Sequence, residues 1–294
     1  MKSLINKKSF NVVLVLLSGI LWGTIGIYTT ALNTSGLSSI SITAVRSLLT
    51  AIMLGIFIFI YNKKLFKIRL KDLPYFFGMG VISFAFFNVC YFKSMQLNKS
   101  LGTAAILLYT APIFVCFLSA VLFKEKINLT KLICLALAVA GCILVSGGGN
   151  ITFLGLLFGL GSGFGYALYS IFSVYALKNN NFFTAIFYAF VLATICLAPL
   201  CQWGAVITSI KADFSIFLYI LGIAFFTTVL PYILYTCGLK VVPAGEASVI
   251  ACIEPLVAAL IGFFVFNQTM KPLAIIGIVL ILGAVIILSR PKKD

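Results

Sequence analysis

Of 294 residues, 62% are hydrophobic and 9% charged, whereas a soluble globular chain is roughly 45–50% apolar and about 25% charged, so water is excluded as the main solvent and no stretch is left for a soluble domain. The net charge of +15 does not mark a nucleic-acid partner, because Lys and Arg fall in short gaps between apolar runs and not on one water-facing surface. Histidine is absent, which removes Ser-His-Asp triads, imidazole proton relays and histidine metal sites together.

A helix needs roughly 20 apolar residues to cross a bilayer, and the chain predicts such spans at about 11–31, 38–60, 73–95, 100–122, 128–146, 152–176, 182–203, 214–237, 244–266 and 272–289, with ends uncertain by ±2–4 residues. Lys2, Lys7 and Lys8 before the first run have the look of a signal peptide, but the apolar part is too long for one; an uncleaved first helix is expected. Ten crossings put both termini on one side. With the N-terminus cytoplasmic, sixteen Lys and Arg lie in cytoplasmic segments (Lys2, Lys7, Lys8, Lys63, Lys64, Lys67, Arg69, Lys71, Lys124, Lys126, Lys131, Lys178, Lys240, Arg290, Lys292 and Lys293). Only Lys99, Lys211 and Lys271 lie in outer ones, and this bias orients the chain. The expected location is the plasma membrane, the inner membrane of a bacterium, with the lipid bilayer and a small-molecule substrate as partners and a homodimer left open.

A shift of 143 residues lays Leu101–Ser146 on Ala244–Ser289 without a gap, with 8 identities in 46 positions, among them Gly102 on Gly245, Pro112 on Pro255 and Ser146 on Ser289. An odd number of helices per half inverts the second copy, so matched loops should exchange their charge bias. The loop Lys124-Glu125-Lys126 is charged and its match Asn267-Gln268-Thr269 is neutral. Two five-helix halves are therefore expected, 10–146 and 153–289, joined through a flexible turn at Gly147-Gly148-Gly149-Asn150. No strand precedes those glycines, so they do not form a phosphate loop.

Trp22-Gly23 in the first helix, Ala44-Val45-Arg46-Ser47-Leu48-Leu49 in the second, and the paired segments Tyr91–Lys126 and Tyr235–Gln268 resemble the EamA family of the drug/metabolite transporter superfamily. The likeness covers nearly the whole chain and departs at Gln268, where the family commonly has Glu. It implies an all-α membrane protein with ten transmembrane helices in two inverted five-helix repeats, and export as the direction. It does not fix the substrate, since similar members move amino acids, other metabolites, nucleotide sugars or drugs.

An ionisable group deep in a bilayer costs about 2.5–3.5 kcal/mol on insertion scales, so each needs a partner or a task. Glu254 falls near the middle of the ninth span, and Pro255 beside it removes a backbone hydrogen bond, as does Pro112 in the fourth. Glu254 is the candidate to carry a proton or hold a cationic group; the alternative is a structural ion pair with Arg46 or Lys93. Arg46, roughly 12 Å deep, could hold a substrate carboxylate through two parallel hydrogen bonds or serve helix packing. Lys93 is expected to snorkel and Glu246 to be solvated. The aromatics Trp22, Tyr28, Tyr91, Tyr109, Tyr166, Tyr169, Tyr188, Tyr232 and Tyr235 could supply pocket walls, with Tyr109 first, then Trp22, Tyr91 and Tyr235. Gly19 and Gly23, and Gly155 to Gly165, have the small-residue spacing of close helix contacts. The eight cysteines lie inside apolar runs and read as small hydrophobes, so neither a metal nor a cofactor is expected.

The combined expectation is a secondary transporter, and not an enzyme, that moves a small metabolite such as an amino acid by alternating access, with proton coupling left open. Efflux of cationic drugs or amines is the alternative. A non-transporting receptor or an embedded enzyme is more remote, because a single midplane carboxylate without histidine or clustered acids gives an enzyme little to work with.

Overall fold

The computed structural model describes residues 7–147, 149–269 and 271–289; Lys2, Arg290, Lys292, Lys293 and the linker residue Gly148 lie outside them. Ten helices are long and apolar enough to cross a membrane: α1 Lys8–Thr34, α2 Ser39–Tyr61, α3 Leu70–Asn98, α4 Leu101–Phe123, α5 Leu129–Ser146, α6 Phe153–Leu177, α7 Phe182–Leu200, α8 Phe214–Gly238, α9 Ala244–Phe264 and α10 Pro272–Ser289. The chain is a multi-pass, all-α membrane protein. Lipid offers no hydrogen bonds, so each apolar run satisfies its own backbone as a helix, and side-chain oxygens take up free N–H groups at the starts. Ser38, Ser100, Asn128, Thr152 and Asp213 cap α2, α4, α5, α6 and α8 in this way. A short helix, Trp203–Ala212, links α7 to α8.

Five of the ten helices are irregular, and four of them pair at or near the 143-residue offset. α4 divides into Leu101–Leu108 and Ala111–Phe123, and α9 into Ala244–Ala251 and Ile253–Phe264. The hinge residues Tyr109 (φ −74°, ψ 7°) and Cys252 (φ −62°, ψ 0°) are 143 positions apart. Each precedes a proline, Pro112 or Pro255, that has no N–H to give the carbonyl four residues back. Past the ends of these helices Lys124 and Asn267 share a left-handed backbone, at φ 55° and 51°. Next to them the Glu125 N–H donates to the Ser119 carbonyl at 3.3 Å and the Gln268 N–H to the Gly262 carbonyl at 2.9 Å. π-helical turns interrupt α3 at Gly78–Ala85 and α8 at Phe225–Val229. α1 is broken at Thr24, a break with no counterpart in the continuous α6.

The packing follows the same exchange of α1–α5 with α6–α10. α5 lies on α10 and α2 on α7; α3 lies on α6 as α1 lies on α8, and α4 on α6 as α9 on α1. Contact between α5 and α10 depends on Gly141 and Gly277, since a Cβ on either would stand 2.6–2.7 Å from the carbonyl oxygen of the other.

At one end of the bundle ion pairs join the helices. There the first half of α9 packs on the second half of α4. The Glu125 carboxylate just beyond α4 accepts from Lys131 Nζ at 2.9 Å and from the Ala244 N–H at 2.9 Å. It thus caps α9, whose own N-cap residue Pro243 supplies no side-chain bond. Lys8 donates to Glu246 in the first turn of α9 at 2.6 Å, where a carboxylate also suits the helix dipole. Two expectations are corrected here. Glu246 is ion-paired and not simply solvated, and Lys131, counted among the loop charges, is only 4% exposed, because its ammonium turns in to Glu125.

Removing the Glu125 carboxylate leaves Lys131 buried without a counter-ion and Ala244 uncapped. Glu125→Ala should therefore cost on the order of 3–5 kcal/mol. Lys8→Ala, which removes a half-exposed partner, should cost under about 1 kcal/mol. Unfolding of the detergent-solubilised chain checks this; equal losses in the two variants would contradict it.

Candidate functional site

At the end opposite those ion pairs the helices diverge around a cavity of about 530 Å³, within the usual range of roughly 300–1,000 Å³ for small-molecule pockets. Its walls are the second part of α1, the start of α2, the end of α3, the first part of α4, the end of α5 and the second part of α9; Tyr166 of α6 and Ile223, Thr227 and Tyr232 of α8 complete it. The breaks account for this shape. Three of the wall helices are interrupted at Thr24, Tyr109 and Cys252, beside the cavity.

Among the described residues, Arg46 and Glu254 are the only charged side chains in this lining. Glu254 is carried by the break in α9, which α1 approaches closely: a Cβ on Gly23 would lie 2.8 Å from the Glu254 carbonyl oxygen. Its two carboxylate oxygens accept from the Tyr109 and Tyr166 hydroxyls, each at 3.4 Å. Arg46 is 6% exposed. Its guanidinium stands over the Phe84 ring, 5.2 Å from the centroid, and Nη2 donates to Asn88 Oδ1 at 3.3 Å. Arg46 Nε is buried and finds no acceptor among the described residues. No ion pair within 4 Å joins Arg46 to Glu254 or Glu254 to Lys93, and Lys93 is exposed. The structural-pair alternative is therefore not the arrangement in this conformation.

Trp22, Arg46, Tyr91, Tyr109, Glu254 and Pro255 all border the cavity. Tyr235 does not. Its ring is 5.3 Å from that of Trp22 and its hydroxyl bonds Ser170 Oγ at 2.8 Å, so it backs the wall without reaching the space. Pro112 is likewise outside the lining, and its part is the break that turns Tyr109. Trp22, Tyr166 and Tyr232 form a connected aromatic group, with Trp22 centroids 6.2 Å and 5.3 Å from the two tyrosines. Asn88 and Thr227 border the cavity and were not singled out from the sequence. A buried amide four residues after Phe84, in an otherwise apolar stretch, is the signal that could have found Asn88. Of the cysteines, six are buried, and none is in a cluster able to hold a metal among the described residues.

The sequence profile of the EamA-like transporter family matches residues 9–147 and 153–290. An uncharacterised transporter of Archaeoglobus fulgidus is 31% identical over 72% of this chain and 76% of its own. The uncharacterised transporter YdfC of Bacillus subtilis is 28% identical over 74% and 71%. The uncharacterised inner membrane transporter YicL of Salmonella typhimurium is 23% identical over 95% of both. A solved crystal structure shares the fold with a TM-score of 0.79 at 16% identity, covering 96% of each chain.

Because Gly23 lets α1 touch the break that carries Glu254, Gly23→Val should cost about 1–3 kcal/mol through overpacking and displace the carboxylate. Gly26→Ala, on the open cavity side with nothing within 4 Å of a new Cβ, should be neutral. Melting temperatures of the two variants in detergent check the contrast.

Proposed function

The chain belongs to the EamA-like transporter family, and from that premise we propose that it is a secondary transporter that exports a zwitterionic metabolite such as an amino acid by alternating access. The observation that carries this reading is the pair of opposite charges in one cavity that do not neutralise each other. Arg46 offers donors suited to a carboxylate. Glu254, bonded by the Tyr109 and Tyr166 hydroxyls in a cavity that Trp22 also lines, offers an anion near aromatic rings, a setting that suits an ammonium group. A ligand bearing both charges satisfies both without leaving a net charge in the membrane.

The halves 10–146 and 153–289 are read as the two repeats, and five crossings in each would make the second run opposite to the first. Matched breaks and matched packing support that reading, and in such folds the substrate site lies at the repeat interface. With the lysine-rich end cytoplasmic, the cavity opens outward and the ion pairs close the inner face. Rocking of the halves would then break the Lys8–Glu246 pair and uncap α9 while closing the cavity. No nucleotide-binding motif is available for energy, so uphill movement would need a gradient or exchange, and Glu254 is the carboxylate in position to release a proton when ligand binds.

A second reading, efflux of cationic amines, is favoured by the aromatic rings near Glu254 and would not need Arg46. Transport into proteoliposomes separates the two. Arg46→Gln should lower apparent affinity for amino acids by about 10- to 100-fold, the value of one or two hydrogen bonds to a charged group of about 1.5–3 kcal/mol, and leave amines unaffected. Glu254→Gln should remove the dependence of transport on a proton gradient. Undiminished, still pH-driven transport by Glu254→Gln would discard the coupling role.

A further inference from the structure

A guanidinium recognises a carboxylate best along one edge, where Nε–H and one Nη2–H run parallel. This protein uses that edge once already: Arg69 Nε donates to Asp72 Oδ2 at 2.9 Å and Nη2 to Asp72 Oδ1 at 3.2 Å. Arg46 has no carboxylate partner of this kind. Nη2 meets the amide oxygen of Asn88 at 3.3 Å, a long bond to a neutral group, and the buried Nε meets no acceptor among the described residues. In the lining of this cavity, Arg46 is nine-tenths buried and, among the described residues, has no carboxylate partner.

Asn88 is fixed from its other side. Its Nδ2 donates to the Phe84 carbonyl at 2.8 Å, one turn back in the π-helical stretch Gly78–Ala85. The amide accepts from Arg46 and donates to that carbonyl at once; an ionised aspartate has the same shape but no donor. The difference also decides the charge of the cavity. With Asn88 the lining carries +1 at Arg46 and, once Glu254 has released its proton, −1 there, whereas an aspartate at that position would pair with Arg46 from within and add a further −1.

We propose that Asn88 is the specificity-determining residue of this cavity. Its neutral amide orients Arg46 while leaving the guanidinium's charge unpaired for the carboxylate of the ligand, so that α-amino acids are accepted over the amines that differ from them only by loss of that carboxylate. This rests on the zwitterion reading above and adds to it the residue that enforces the choice.

The test compares each proteinogenic L-amino acid with its decarboxylated amine, leucine with 3-methylbutylamine and phenylalanine with 2-phenylethylamine among them. Binding to the purified full-length chain is measured by thermal stabilisation and titration calorimetry. The wild type should favour at least one amino acid over its amine. Asn88→Asp should lower affinity for that amino acid by about tenfold or more and bind the amine at least as well as the wild type, which reverses the preference. Asn88→Leu serves where Asn88→Asp does not fold; by releasing Arg46 it should weaken the amino acid severalfold and leave the amine unchanged. Equal weakening of both ligands in either variant would make Asn88 a packing residue only and overturn the proposal, as would an Asn88→Asp protein that keeps its preference for the amino acid. A wild type without preference for any amino acid over its amine would instead sink the zwitterion reading itself, and the role of Asn88 with it.

Discussion

Two opposite charges held apart inside membrane-spanning helices are the constraint on which the remaining structure turns. Burying either Arg46 or Glu254 in lipid is costly, and joining them would be the simplest relief. The protein instead gives each only neutral company, a tyrosine pair for Glu254 and an amide with a phenylalanine face for Arg46. Such an arrangement is tolerable only where water or a ligand reaches the groups, so it requires a cavity. The cavity in turn lies beside helices that are interrupted partway along their length.

The breaks come from repeated backbone chemistry. Tyr109 and Cys252 occupy the same conformation 143 residues apart, each ahead of a proline, and the helices that follow end in the same left-handed turn at Lys124 and Asn267. What the two halves do not share is charge. Glu125 and its match Gln268 make equivalent backbone bonds, yet only Glu125 holds a buried lysine and caps a helix across the bundle. The helix breaks recur at matched positions, while among the described residues these ion pairs gather at one end. That asymmetry fits a molecule closed at the ion-paired end and open at the other.

Membrane burial made much of the fold legible. The number of helices, their limits to within a few residues, the broken middles of the fourth and ninth, and the place of Arg46 and Glu254 within apolar spans all follow from the cost of exposing polar groups to lipid, which is written directly into composition and spacing. The small-residue spacings also carried through: Gly19 and Gly23 meet the break of α9, and Gly155, Gly159, Gly163 and Gly165 leave no room for a Cβ against α3 and α4. Periodicity could not separate Tyr235, which backs the wall, from Tyr166, which reaches Glu254, because both are single tyrosines in apolar helices.

By itself, then, the sequence determined a ten-helix membrane protein with two deep charges and two matched breaks, since a bilayer penalises any other reading of 62% apolar residues. Only the tertiary structure decided that those charges stay apart, that Asn88 and not an acid stands against Arg46, and that Glu246 and Lys131 belong to ion pairs at one end of the bundle. Each of these depends on how helices distant in the chain rotate and tilt against one another, and the packing of side chains across interfaces fixes that geometry where local hydrophobicity is silent.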